Sequence, residues 1–209
     1  MVPGSLRDET GWAPLGVSLS LESPRPTGKW GVRVFDAAEA ELKDGRVVTI
    51  RLAVPDDARA ITDFVNTVGR EKQFVLRERA TWTLDEERAT LAAADGKDSA
   101  FFVGEIEGRI SALLNIARGR WPKNSHVAEF GMACLPDSRR IGLGTALLTR
   151  ALEWAKSVGI RKVNLEVFAS NEPAIDLYRK MGFEEEGRRQ REFLIDGSLV
   201  DGILMAKWL

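Results

Sequence analysis

The residues of this 209-residue chain that could do chemistry gather in its second half. Residues 134–145 read Cys-Leu-Pro-Asp-Ser-Arg-Arg-Ile-Gly-Leu-Gly-Thr. A strand that ends here, turns through Pro136 and opens a helix on Gly142 and Gly144 leaves the first helical amides without internal partners. Together with the helix dipole, such amides receive phosphate oxygens. Glycine at two positions removes the Cβ atoms that would hold a pyrophosphate away, and Arg139 and Arg140 add positive charge beside the turn. The same residues also suit a plain strand-to-helix corner carrying two solvated arginines, and the segment alone does not separate the two readings.

A second group follows. Residues 164–171 read Asn-Leu-Glu-Val-Phe-Ala-Ser-Asn, then come Ala174-Ile175-Asp176-Leu177-Tyr178 and Met181-Gly182-Phe183. If Lys162 to Phe168 is a strand, Val163, Leu165 and Val167 share one face and Asn164, Glu166 and Phe168 the other. A glutamate between apolar neighbours then lies either on a wet face or in a site. Tyr178, the only tyrosine, follows Ala174 by four and precedes Met181 by three, so on a helix it faces the core or a cleft. Cys134 and His126 are the only cysteine and histidine. Nothing near Cys134 forms a nucleophile–base pair, His126 begins a strand, and no His/Cys set has metal-ligand spacing. No metal is expected.

Positioning these groups requires an ordered frame, and the chain can supply one. Apolar residues make up 44% and charged residues 29%, enough for a core in a single domain. The net charge of -1 gives no global field favouring nucleic acid or membrane. A lone cysteine excludes an internal disulfide framework, no run approaches the ~20 apolar residues of a membrane span, and the N-terminus lacks an apolar signal core, so a cytoplasmic protein is expected.

Residues 1–46 are expected to be an extension, rich in Pro and Gly at first and carrying a short strand, with a compact domain over 47–209. The pair Asp44-Gly45 suits a hairpin. Asp56-Asp57 opens a helix with Ile61, Val65 and Val68 on one stripe, and Thr83 with Glu86 forms a capping box for a second. Arg70 to Arg79 is read as a loop or broken helix. Strands are predicted over 100–106, 109–116 and 126–134, a helix over 142–158, a strand over 162–168, a helix over 171–181, and a final strand pair over 184–193 and 199–208. The fold class is mixed α/β: one sheet flanked by helices. A dinucleotide fold is disfavoured, because Leu147 stands where the fingerprint's third glycine belongs and only one βαβ unit follows.

Arg139-x-x-Gly142-x-Gly144 with the 164–183 pattern resembles the GNAT superfamily of acetyl-CoA-dependent N-acetyltransferases. Glu166 to Tyr178 is especially similar to the ribosomal-protein alanine N-acetyltransferase type. The ending, Glu186-Gly187 through Asp196-Gly197 to Met205, looks like amino-acid and polyamine members. The resemblance covers roughly Val47 to Leu209 and is strong from Val127 to Phe183. It implies that the CoA pyrophosphate sits on the backbone of Arg139, Arg140, Ile141, Gly142, Leu143, Gly144 and Thr145. It further implies that the pantetheine arm pairs along Met132, Ala133 and Cys134, and that Asn171 touches the cofactor. Tyr178 matches the acid that protonates the departing thiolate. Glu166 matches a general base, and Glu129 is a second candidate because other members place the base on the preceding strand. Gly131 matches a strand bulge that exposes amides to the thioester, or is a packing glycine.

The implied reaction is direct attack by a neutral amine in a ternary complex. Reaching the free base at pH 7 costs roughly 4–5 kcal/mol for a lysine-like amine and about 1 for an α-amino group. Arg70, Lys72, Arg77, Arg79, Arg188, Arg189 and Arg191 lie where the family shapes its acceptor site. Those lining the cleft would attract a carboxylate and repel a polycation; otherwise they are solvated surface charges. The expected partner is a small-molecule or peptide amine, an amino acid or peptide N-terminus before a polyamine. Nucleic acid and membrane are not expected, and a homodimer is allowed. A silent acetyl-CoA-binding sensor module is the alternative from another functional class.

Overall fold

The computed structural model describes residues 35–209, so most of the expected extension lies outside the described residues. One eight-stranded sheet runs through the molecule in the order β1-β2-β3-β4-β5-β6-β8-β7. Its strands are β1 (Ala38–Glu41), β2 (Val47–Leu52), β3 (Ser99–Ile106), β4 (Arg109–Arg118), β5 (Val127–Cys134), β6 (Lys162–Phe168), β7 (Glu184–Ile195) and β8 (Ser198–Trp208). Helices α1 (Ala58–Gly69) and α2 (Leu84–Ala93) cover one face; α3 (Leu143–Ser157) and α4 (Glu172–Lys180) cover the other. The strand expected near residue 40 is β1, which pairs with β2 through a turn at Asp44-Gly45 and closes one edge of the sheet.

Local chemistry explains most boundaries. The capping box at α2 forms as read: Glu86 N–H donates to Thr83 Oγ1 at 3.3 Å, and Thr83 N–H donates to Glu86 Oε2 at 2.6 Å. Asp57 precedes α1 without capping it by its side chain. Its carboxylate instead takes Arg51 at 2.7 and 2.9 Å and the Val54 amide at 2.8 Å, tying α1 to β2. Gly159 and Gly182, at φ +81° and +82°, carry the chain out of α3 and α4 in the left-handed conformation that glycine adopts without strain.

Two cores result. On the α3/α4 face, Phe102, Leu114, Phe130, Leu147, Trp154, Val163, Leu165 and Met205 interlock; on the α1/α2 face, Ile61, Phe64, Val68, Val103, Leu113 and Leu135 do. Residues of β3 and β4 alternate between them as a period of two demands, Phe102 and Leu114 to the first and Val103 and Leu113 to the second. Every neighbouring pair is antiparallel except β5 and β6. A single parallel pair rules out the dinucleotide fold, whose sheet is mostly parallel. Among the described residues no helix is long and apolar enough to cross a membrane.

Candidate active site

The one parallel pair is the shortest ladder of the sheet. β5 and β6 hydrogen-bond only at Val127↔Lys162, Ala128↔Val163 and Glu129↔Asn164, then part. Beyond Glu129 the backbone edge of β5 that faces β6 is left open. Leu135 N–H donates to Ser111 O of β4, and backbone groups alternate sides along an antiparallel strand. Gly131 and Ala133 therefore turn their amides to β4, while Met132 and Cys134 turn theirs to the gap. Pairing of β4 with β5 passes through Asn115↔Gly131 without a register shift, so Gly131 is not a bulge. The opening arises from strand divergence instead, and of the Gly131–Ala133 amides only that of Met132 faces it.

A cavity of about 710 Å³ fills this gap. At one end lies the turn into α3. Gly142 stands at φ +94° as the residue before the helix, and the first helical bond is Ala146 N–H to Gly142 O at 3.0 Å. The amides of Leu143, Gly144 and Thr145 precede any helical acceptor and mark the helix's positive end. The two glycines have different reasons. Gly142 supplies the left-handed backbone. Gly144 lets α3 pack: a Cβ there would stand 3.2 Å from Leu177 Cδ2 and 3.5 Å from Met132 Cε. Ile141 gives its carbonyl to Lys43 N–H at 2.9 Å, and Leu143 turns into the core.

The charges at this end differ from the expected pair. Arg140 lines the cavity, exposed, at φ +63°. Arg139 also lines it, but its guanidinium is spoken for: it grips both carboxylate oxygens of Glu71, donates from Nε to Cys134 O at 3.0 Å, and lies 5.0 Å over the Phe74 ring. Lys43 and Lys180 join the lining. Lys43 is not legible in sequence as part of this site, because it lies in the first hairpin and nothing local links it to a turn 99 residues later. Asn171 lines the same wall and caps α4, its Oδ1 accepting from Ala174 N–H at 3.3 Å.

In the middle stand Met132, Cys134 and Tyr178. Tyr178 is 6% exposed, wedged edge-on to Phe130 at 5.8 Å and beside Phe183 at 5.9 Å. Burial, with Cys134 beside it, pushes its phenol well above the ordinary range, so it holds its proton. Burial likewise pushes the Cys134 thiol up to about 12, which keeps it inert as a nucleophile.

At the far end lies Glu166, with apolar walls of Val68, Phe74, Val75, Leu76, Phe168 and Phe193. The loop bearing residues 74–76 is held in three ways. Glu71 meets Arg139, Ala80 N–H donates to Asn66 Oδ1 at 2.8 Å, and the Glu78 backbone lies so close to Gly69 that no Cβ would fit. Glu166 Oε2 accepts from Arg189 Nη1 at 2.9 Å, while Oε1 is closed off over Gly202 with no partner in the structure. Burial raises the Glu166 carboxyl above its usual range, and Arg189 opposes that while Glu192 adds to it. Glu129, across the strand gap, is also raised, chiefly by burial and then by Glu166, with Arg189 again opposing. Glu129 does not line the cavity, nor does His126. Of the seven basic residues expected near an acceptor, none lines the cavity, and Arg189 alone reaches a group that does. Among the described residues no group of three or more His, Cys, Asp or Glu could hold a metal ion.

Three comparisons bear on this arrangement. The profile of the family described as "Acetyltransferase (GNAT) family" matches residues 65–183. The L-amino acid N-acetyltransferase AaaT of Escherichia coli is 34% identical over 103 residues, which is 49% of this chain and 64% of that one, so the chain spans just under two-thirds of it. An N-alpha-acetyltransferase of Sulfurisphaera tokodaii is 37% identical over 121 residues, covering 52% of this chain and 69% of that one. The crystal structure of a GNAT-family acetyltransferase from Streptococcus pneumoniae superposes with a TM-score of 0.75 at 29% identity, over 78% of this chain and 99% of that one.

Proposed function

The chain belongs to the GNAT acetyltransferase family, and from that premise we propose that it transfers an acetyl group from acetyl-CoA to a primary amine, that of an amino acid or peptide N-terminus. The observation that carries this reading is the parting of β5 from β6 after Glu129, with a helix N-terminus at one mouth and a buried carboxylate at the other. An extended pantetheine-like arm needs an unpaired strand edge, and a diphosphate needs a cluster of free amides; both are offered in line.

The amides of Leu143, Gly144 and Thr145, with Lys43, Arg140 and Lys180, would hold the diphosphate. Met132 on the open edge of β5 would hold the arm, and Asn171 would flank it. Acetyl-CoA, when bound, supplies the acetyl group as a reactive thioester. Everything else falls to the chain's own side chains and amides. Met132 N–H is the donor available where negative charge develops on a carbonyl oxygen, a contribution of about 3–4 kcal/mol. Glu166 is the base. Its carboxyl is raised by burial, which makes its anion a stronger proton acceptor, and it lies on the cavity wall where Glu129 does not.

Tyr178 is the acid and keeps its proton until sulfur needs it. Both the raised phenol and the raised Cys134 thiol report one environment hostile to anions. A thiolate formed there is made more basic by the same burial, so the proton transfer is not made harder by the tyrosine's shift alone. The apolar walls exclude water that would hydrolyse the thioester.

The test is release of free thiol from acetyl-CoA with amino acids, short peptides and spermidine. Tyr178→Phe is expected to lower kcat by about 100- to 10,000-fold while CoA still raises the melting temperature. Undiminished turnover in that variant removes the acid, and the absence of thiol release with every amine removes the function.

A further inference from the structure

Glu166 is occupied in a way a general base cannot be while it works. Its side chain is 10% exposed, and one of its two oxygens is held by Arg189, a residue of β7 that is itself 51% exposed. A carboxylate gripped by a guanidinium is a weaker proton acceptor. An incoming ammonium must also approach a site that already carries a cation. Arg189 thus holds the carboxylate oxygen that a substrate's positive end would take, and something must draw it aside.

The surroundings say what could. Arg189 sits in a part of β7 whose pairing with β8 slips between Arg189 and Phe193, with Arg191 at φ +55°. Its other neighbour, Glu192 at 3.6 Å, is a half-exposed carboxylate on its own strand. Arg188 goes to Asp201 at 3.6 Å, and the Arg191 amide goes to Asp201 Oδ1 at 2.8 Å. Arg189 does not itself line the cavity, but of this strand's arginines it is the one whose guanidinium reaches the cavity-lining Glu166. The walls around Glu166 are apolar: Phe74, Val75 and Leu76 from the loop after α1, and Phe168 and Phe193.

Resting on the proposed transferase reading, we infer that Arg189 is a specificity-determining residue that exchanges partners with the substrate: the α-carboxylate of an apolar amino acid takes Arg189, and its amine takes the place Arg189 leaves on Glu166. A zwitterion can make both moves at once, because its two charges are separated by two bonds' reach. An amino-acid amide, a peptide N-terminus or a polyamine offers no α-carboxylate for the guanidinium, so Arg189 stays on Glu166 and repels the amine, which narrows the proposed acceptor to the free amino acid. A guanidinium's planar fork suits a carboxylate in two-point contact. The apolar walls leave a place for a hydrocarbon side chain.

The experiment measures thiol release with L-leucine, L-leucinamide and spermidine, for the full chain and for Arg189→Gln and Arg189→Lys. The quantity read is the kcat/KM ratio of leucine to leucinamide. Their different amine basicity is common to all three proteins and cancels. Arg189→Gln is expected to lower that ratio by about 10- to 100-fold, the scale of one charge-assisted contact, and to improve spermidine relative to leucine. Arg189→Lys should restore part of it. The acidic limb of the leucinamide pH profile should also move upward in Arg189→Gln, since Arg189 holds down both Glu166 and Glu129. Around Glu166 the other charged neighbours are Glu192 on β7 and Glu129 on β5, and β8 adds only Gly202 and Leu204. A loss of folding alone would lower all substrates together and leave the ratio unmoved. An unchanged ratio in a protein that still acetylates amines overturns the role of Arg189 and spares the transferase. A chain that acetylates none of the three overturns the exchange, and one that also acetylates none of the amino acids and short peptides fails as a transferase.

Discussion

The two ends of the cavity are built from different materials. The end at α3 is made of backbone: a left-handed Gly142, three amides ahead of the first helical bond, and a strand edge left open by its neighbour. The end at Glu166 is made of side chains drawn from the loop after α1, from β6 and from β7. Backbone geometry depends on few residue types, so it tolerates replacement of most side chains around it. Side-chain geometry depends on each packing partner. A coenzyme that never changes suits the first, and an acceptor that differs among relatives suits the second.

The sharpest way to break this contrast is at Glu166. Glu166→Gln is expected to lower kcat/KM by about 100- to 10,000-fold and to erase the acidic limb of its pH profile, with CoA affinity intact. In the unaltered protein that limb should lie above the ordinary carboxylate range, because burial raises the Glu166 carboxyl. In the proposed role the anion accepts the proton, so activity is expected to climb as pH rises through the folded value. Stability runs the other way. A carboxyl raised on folding favours the native state while protonated, and that contribution is lost as pH rises from the unfolded value through the folded one. Glu166→Gln should therefore match the parent's melting temperature in acid and exceed it at pH 8; equality at both ends would show that burial costs Glu166 nothing.

A smaller effect separates the two ends by glycine. Gly202→Ala puts a Cβ into the space of Glu166 Oε1, and the carboxylate must move. A misplacement of about 1 Å is expected to cost up to about 100-fold in kcat/KM, with the melting-temperature shift on adding CoA preserved. Gly142→Ala meets open room, its nearest neighbour being Lys43 Cγ at 3.8 Å, yet at φ +94° it is strained. The cost is about 1–2 kcal/mol, read as roughly a tenfold rise in KM for acetyl-CoA with the acceptor KM unmoved. If Gly142→Ala changed the acceptor KM and Gly202→Ala changed CoA binding, the division of the cavity would be wrong.

Much of the frame was readable in sequence because its signals are local. Thr83 with Glu86, Asp44-Gly45, Gly159 and Gly182 each announce a boundary within a few residues, and the alternation of Val163, Leu165 and Val167 puts Glu166 on the opposite face. The turn from Arg139 to Thr145 was legible for the same reason. Less legible was what those residues do once folded. In sequence Arg139 stands as free charge for a phosphate, whereas in the fold it is engaged by Glu71, 68 positions away. Gly144 lines the cavity as a ligand turn requires, and it also gives Leu177 the clearance to pack, which no local signal announces. Seven basic residues are candidates for the acceptor in sequence, and pairing of β7 with β8 leaves Arg189 as the one at Glu166.

By itself the sequence determined the elements, the face of β6 that carries Glu166 and the glycine turn into α3, since each follows from periodicity or backbone conformation over a handful of neighbours. Only the tertiary structure decided that β5 and β6 part after Glu129, that Lys43 reaches that turn and that Arg189 lies on Glu166. Those facts depend on strand order and register across the sheet, where residues far apart in the chain meet and where a contact is chosen by the fold as a whole.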